Sequence, residues 1–324
     1  MLKNAKLSTR LGLAFGAMIA ITATICIISW YGVRELDAGA KANDIGNHIQ
    51  SELITAGMAR RDFALRGFDK GADGKTAEDS FRDVHQVLNE KLKELQALPT
   101  LADAYRGDVA ESLRLSDEYL AAFDQQVEAR KARDAAFKEW SRVGWAVTKS
   151  TSTLVQETLL PKLATALEAQ DLTEVNRLAG ARAGLDEDVL QNFLLLRVTA
   201  VYLIVTQADA QWDGYQKQLA NMRAGLTRWT QALGADADLA PVAKELEGYI
   251  GEYEAAGTEF HNGILADRAA GATMSDAAGK ILAKIVKLQD NLESDMGKAT
   301  TRIELTVVVM AIVAVVVGVA LAWT

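Results

Sequence analysis

The sequence predicts an all-α protein: two stacked four-helix bundles that share two long helices, flanked by two transmembrane helices. Three observations carry that expectation. Ala and Leu dominate a chain that is 24% charged and holds only three prolines and 6% aromatic residues, a composition of long helices rather than sheets. Uncharged apolar runs stand at both ends of the chain. Between them, breakers cut the sequence into helices of two distinct lengths.

The first element is a membrane span. Lys3, Lys6 and Arg10 precede an uncharged run from Leu11 to Val33, with Trp30 and Tyr31 at its far end. That run is long enough to cross a hydrocarbon core of ~30 Å, and its aromatics suit the interface. A cleaved signal peptide would have a shorter apolar segment, of roughly 7–15 residues. Residues 1–10, basic and without acids, form the expected cytoplasmic tail under the positive-inside rule. Residues 34–302, which hold nearly all the acids, then face the periplasm. Residues 303–324 give a second span, uncharged from Leu305 onward. An output module is expected beyond that second crossing.

Helix one continues from the first span to about Phe68, where "GFDKGADGKTAED" breaks it with Gly67, Gly71 and Gly74. Helix two, about Glu78 to Leu98, carries the apolar stripe Phe81, Val84, Leu88, Leu92 and Leu95. Pro99 stops it, and Thr100 is a candidate N-cap for the next helix. The third helix has no strong breaker from Leu101 to Leu160, so it would be about 90 Å long; Pro161 ends or kinks it. The fourth runs from "EAQDLTE" through Val205. "TQADAQWDG" reads as a turn, and the fifth runs from about Tyr215 to Leu233. The sixth begins near Pro241 and continues into the second span. The two long helices are each about twice a short one. One short pair can therefore pack on each half, giving a proximal bundle (about 34–132 plus 268–302) and a distal bundle (about 133–267). An internal repeat supports the division: "FALRGFDKGADGKTAEDSFRDVHQVLNEKLKELQAL" from Phe63 is similar to "YLIVTQADAQWDGYQKQLANMRAGLTRWTQAL" from Tyr202, with a turn about four residues longer in the first copy. The run at 192–206 is apolar nearly all round but too short for a third span.

Composition and motifs exclude several classes. The net charge of −8 argues against a nucleic-acid partner. The single Cys26 and the dispersed His48, His85 and His261 give neither a disulfide framework nor a metal cluster, and no cofactor is expected. No nucleophile–base pair or phosphate loop is legible, so an enzyme is not expected.

The candidate site starts from "MARRDFALRGF", residues 58–68. On a 3.6-residue wheel Arg60 and Arg61 both fall in the apolar arc with Ile54, Met58, Phe63 and Leu65, whereas Asp62 and Arg66 fall outside it. Buried guanidiniums need anions, from protein carboxylates such as Asp276, Glu128 and Asp83 or from a ligand. Counting levels along the helices brings Arg268 and Thr273 of helix six, and Arg82 of helix two, near the same height. Such a set of cations and a hydroxyl suits a carboxylate ligand. In the distal bundle, Arg197 and Tyr202 mark a second candidate, although their spacing puts them on different faces.

A short basic tail, a span, a six-helix external region and a second span, from "NAKLSTRLGLAFG" through "MARRDF…RG" to "GVALAWT", resemble the front half of bacterial chemoreceptors, the methyl-accepting chemotaxis proteins. The external part is similar to the helical bimodular sensor domain found in some of them and in some sensor histidine kinases. The resemblance implies a homodimer in the inner membrane that binds a small organic acid, such as a C4-dicarboxylate or acetate. It also implies signalling proteins in the cytoplasm as downstream partners, and it agrees best with Arg60 and Arg61 as the helix-one ligands. A sensor kinase input domain and a ligand-free structural or adhesive protein remain as alternatives.

Overall fold

The computed structural model describes residues 7–234 and 236–323; Lys3 and Lys6 of the basic tail lie outside them. The described residues are helical with no strand, and the one isolated bridge joins Lys70 to Thr76. The all-α class is as expected.

Helix α1 spans Leu7–Arg66. Gly67 ends it in the left-handed region, φ 58°, with its N–H on the Phe63 carbonyl at 2.8 Å, a conformation that a Cβ would strain. Helix α2, Ala77–Ala97, opens on a capping box that the sequence reading missed. The Thr76 side chain accepts from the Asp79 N–H, and the Asp79 carboxylate accepts from the Thr76 N–H. Pro99 disfavours helix for the residue before it, and Leu98 is extended. Helix α3, Asp103–Thr153, starts after Thr100, which lies in the turn and caps nothing.

Pro161 does not end the helical run, which goes on to Glu168. A π-helical turn, Leu154–Leu159, leads into α4, Leu160–Glu168, and the proline sits in the first turn of α4. Widening the helix there lets the chain pass a residue that has no N–H to give. Asp171 then caps α5, Leu172–Gly184, by accepting from the N–H groups of Thr173 and Glu174. A second π-helical turn, Leu185–Leu190, joins α5 to α6, Gln191–Thr206. The segment "TQADAQWDG" is not a turn beyond Gln207 and Ala208, because α7 already begins at Asp209 and runs to Leu233. The α1–α2 connection, Gly67–Thr76, is therefore longer than this one by more than the four residues expected. Helix α8, Ala240–Trp323, is continuous.

The chain forms two compact units, one of residues 1–123 and 272–324, the other of 124–271. The division falls earlier in α3, and slightly later in α8, than the limits drawn from the sequence. In the first unit four helices share a core: Ile45, Ile49 and Leu53 of α1, Phe81, Leu88 and Leu92 of α2, Leu115 and Tyr119 of α3, and Met274, Ile281 and Ile285 of α8 are all buried. In the second unit Trp140 and Val147 of α3, Phe193 and Leu203 of α6, Tyr215 and Trp229 of α7, and Leu246 and Tyr253 of α8 build a separate core.

Among the described residues, three helices are long and apolar enough to cross a membrane by length and composition. The two at the chain ends have their most apolar windows 6% and 0% buried by the protein itself. The third, Leu172–Thr206, corrects the statement that its run is too short, because α5 continues through the π-helical turn into α6 and lengthens it. Phe193, Leu196, Ala200 and Leu203 of that helix are nonetheless packed into the second core.

Candidate functional site

In the first unit three glycines of α1 face side chains of α8. Gly32, Gly39 and Gly46 recur every seven residues on α1, and Ile303, Met296 and Gln289 recur at the same interval on α8. Each glycine is a notch for one of these side chains. A Cβ at Gly32 would lie 2.2 Å from Ile303 Cδ1, one at Gly39 would lie 2.8 Å from Met296 Cγ, and one at Gly46 would lie 2.9 Å from Gln289 Nε2. A seven-residue repeat keeps one helix face against its neighbour, so the seam runs without a break from the end of the apolar run into the bundle. Gln289 also donates to Asn47 Oδ1 at 2.9 Å and to the Asn43 carbonyl at 3.2 Å.

Farther along α1, Arg60 follows the buried Ala56 and precedes the buried Phe63, and it is half-buried. Its charge reaches Tyr119, whose hydroxyl is pushed up by burial and drawn back down by the guanidinium. Phe63, Phe81 and Phe123 form an aromatic column beside it, with Phe81 stacked on Phe123 at 3.7 Å. Arg82 of α2 stands over Phe123 at 5.9 Å and pairs with Glu78 at 2.9 Å. His85 is 4% exposed; its Nε2 lies 2.9 Å from the Ser116 carbonyl and 3.1 Å from Ser116 Oγ, so that nitrogen is already engaged within the protein. Arg82 thus stands over this column already paired with Glu78, and Arg60 is a half-buried cation of α1 whose charge is felt at Tyr119.

The remaining candidates part company with this pair. Arg61 is exposed rather than inward-facing. The apolar arc of α1 is wider than its buried stripe, and Ile54, Met58 and Leu65 on that arc are 63%, 55% and 80% exposed. Thr273 is exposed on α8. Arg268 belongs to the second unit, where it pairs with Asp209 at 2.6 Å and donates to the Gln207 carbonyl. Height counting along ideal helices could not show which neighbour the arginine would meet. Asp276, Glu128 and Asp83, considered as partners for the arginines, pair with Lys280, Lys131 and Lys75. In the second unit Arg197 is half-buried over the Trp145 ring at 5.5 Å, and Tyr202 is 58% exposed. These two are not brought together.

One polar cluster went unnoticed in the sequence. Arg133, 6% exposed, lies 3.6 Å from Asp267 and donates to Gln207 Oε1 at 3.2 Å, while Gln126 Nε2 donates to Asp267 Oδ1 at 2.7 Å. Burial, then the neighbouring Arg130, holds the Arg133 guanidinium below its ordinary range, against the pull of Asp267. Together with Arg268 this cluster fixes the α6–α7 turn, where Gln207 has φ 52°. The long, evenly charged α3 gives no local sign that this arginine, among so many, is the buried one.

A cavity of about 390 Å³ opens at the base of the first unit, next to the first apolar run. Tyr31, Arg34, Glu35, Thr100, Tyr105 and Asp295 supply its polar lining. Tyr105 donates its hydroxyl to Asp295 Oδ2 at 2.9 Å, and Lys298 holds the other oxygen at 3.0 Å. These two contacts keep the Asp295 carboxyl below the usual carboxylate range.

No family model matches this chain, and no curated protein matches it. Among solved structures, one described as "Crystal Structure of the TorS sensor domain - TorT complex in the presence of TMAO" is similar at a TM-score of 0.40 and 15% identity, covering 80% of this chain and 99% of that one. A likeness of that depth carries no argument about function.

Proposed function

We propose that this chain is the input portion of a transmembrane receptor, which binds a small organic anion in the periplasm and signals through its last helix to a cytoplasmic module. The observation that carries this reading is the α1–α8 seam. Both helices continue unbroken from a membrane-length apolar run into the first unit, and they interlock at Gly32, Gly39 and Gly46. A displacement of α8 against α1 within the unit would be carried along that seam, and sliding of packed helices is an established switching motion. The half-buried Arg60 of α1, whose charge is felt at Tyr119, supports an anion such as a C4-dicarboxylate or acetate as the ligand. A chemoreceptor of the inner membrane acting as a homodimer is the form we favour over a sensor kinase. The exposed row Ile54, Met58 and Leu65 on α1 supports a self-association face.

The test is a thermal-shift screen of the full chain in detergent with dicarboxylates, acetate, amino acids and inorganic anions. Ligand at ~100 times its dissociation constant adds about 2.7 kcal/mol. Arg60→Ala should abolish the shift while Arg61→Ala, on the exposed face, retains it. If no compound stabilises the chain, and Arg60→Ala merely lowers the melting temperature, the arginine is structural and the sensory reading falls.

A further inference from the structure

We infer that the basal cavity of the first unit is a headgroup site for a phosphate–ammonium zwitterion, supplied by a phospholipid of the surrounding bilayer. The first argument is height. Tyr31 lies inside the apolar run Leu11–Val33, and Arg34 and Glu35 follow immediately. With a rise of about 1.5 Å per residue these side chains stand within a few Å of the hydrocarbon edge, inside a headgroup layer roughly 5–8 Å deep. On α8, Asp295 precedes Leu305, where the second apolar run starts, by about 15 Å of helix. The cavity therefore spans the headgroup layer and the first turns above it.

The second argument is chemistry. The lining carries charges of both signs, one guanidinium and two carboxylates, with two tyrosine rings. Arg34 offers a planar fork to a phosphate, which a lysine would meet only as a point charge. Glu35 offers a carboxylate, and Tyr31 and Tyr105 offer ring faces, to an ammonium, while Asp295 already holds the Tyr105 hydroxyl and Lys298. An anionic headgroup would leave the Glu35 carboxylate facing it, and a simple cation would leave the Arg34 guanidinium facing it. The volume of about 390 Å³ suits a headgroup rather than a whole lipid, whose chains would stay in the bilayer. The third argument is position in the mechanism. Gly39 and Met296, one contact of the α1–α8 seam, form part of the same wall. Occupancy would thus bear on the relative setting of the two helices that enter the membrane.

The inference rests on the two-span arrangement and not on the Arg60 site. Full-length chain is delipidated in mild detergent, and lipid retention is read by native mass spectrometry after adding phosphatidylethanolamine, phosphatidylglycerol or soluble phosphoethanolamine. Wild type should retain phosphatidylethanolamine over phosphatidylglycerol. Arg34→Gln should lower that retention about tenfold, the loss of one charge-assisted contact. Glu35→Gln should shift the preference towards phosphatidylglycerol, a change of selectivity that misfolding would not produce. Equal retention of both lipids, or indifference to both variants, overturns the inference. So does binding of soluble phosphoethanolamine without retention of the lipid, which would make the source a solute. Failure of the chain to float with liposomes would sink the two-span reading itself, and loss of the ligand shift at Arg60 would leave this inference untouched.

Discussion

If the glycine seam holds α1 and α8 in register, filling its lowest notch should be harmful alone and harmless once the opposing knob is removed. A Cβ at Gly32 would lie 2.2 Å from Ile303 Cδ1 and 2.5 Å from Cγ1, but 3.9 Å from Cβ. The first two separations are far inside contact distance. Ile303 is β-branched and has few rotamers through which to escape. Gly32→Ala therefore adds an overpacking cost of about 1–3 kcal/mol, against a helix-propensity gain of about 1 kcal/mol. Ile303→Ala removes both clashing carbons and leaves an ordinary contact at 3.9 Å. The double variant should keep the propensity gain without the clash, so the cycle should show a favourable coupling of about 1–3 kcal/mol. Gly57→Ala on the same helix, with nothing within 4 Å of its Cβ, serves as the reference and should stabilise by up to about 1 kcal/mol. The assay is denaturant unfolding of the full chain in mild detergent, followed by circular dichroism. Effects that add to within about 0.5 kcal/mol, or a Gly32→Ala variant as stable as Gly57→Ala, would refute the interlocked seam.

Three further outcomes are expected. On α7, Gly225→Ala would bring a Cβ to 2.1 Å from the Asp188 carbonyl oxygen, a backbone atom that cannot swing aside, so it should cost about 2 kcal/mol or more; Gly214→Ala, in open space on the same helix, should stabilise slightly, and paired melting curves decide. Arg133→Ala strips Asp267 of its cation and Gln207 Oε1 of its donor, and should cost about 3 kcal/mol, whereas Arg133→Met with Asp267→Leu should recover most of it in the same unfolding assay. His261 stacks on Trp212 at 4.1 Å, and burial depresses its imidazole below the ordinary 6.5, with Asp209 and Asp213 opposing and Arg268 reinforcing. A depressed folded-state value means the unfolded chain takes the proton first, so the contribution is fully present above 6.5 and is lost as pH falls below it. Melting temperature should therefore drop more steeply from pH 7 to 5 in wild type than in His261→Gln; identical slopes would show that the ring titrates as if free.

Local signals determined what they control directly. Membrane-length apolar helices at both ends follow from uncharged apolar length. The helix breaks at Gly67 and Pro99 follow from a left-handed turn and from the steric demand of proline on its predecessor. The all-α class follows from composition and period. Much of helix one's buried face was legible too, from Ile45 and Ile49 to Phe63.

Tertiary packing decided the rest. The wheel placed Arg60 and Arg61 in one apolar arc, but packing buries only a stripe of it, which takes in Arg60 and leaves Arg61, Met58 and Leu65 outside. Arg268 looked like a neighbour of Arg60 because heights were counted along ideal helices. A tolerance of about two turns on α8 reached past residue 272 into the second unit, where the Arg268 side chain meets the α6–α7 turn. Burial of Arg133 and the cavity above Tyr31 depend on which helix faces come together, a property of contacts between residues distant in the chain. Periodicity records that a helix has an inner face; only the partner helices fix how wide that face is and which polar groups it encloses.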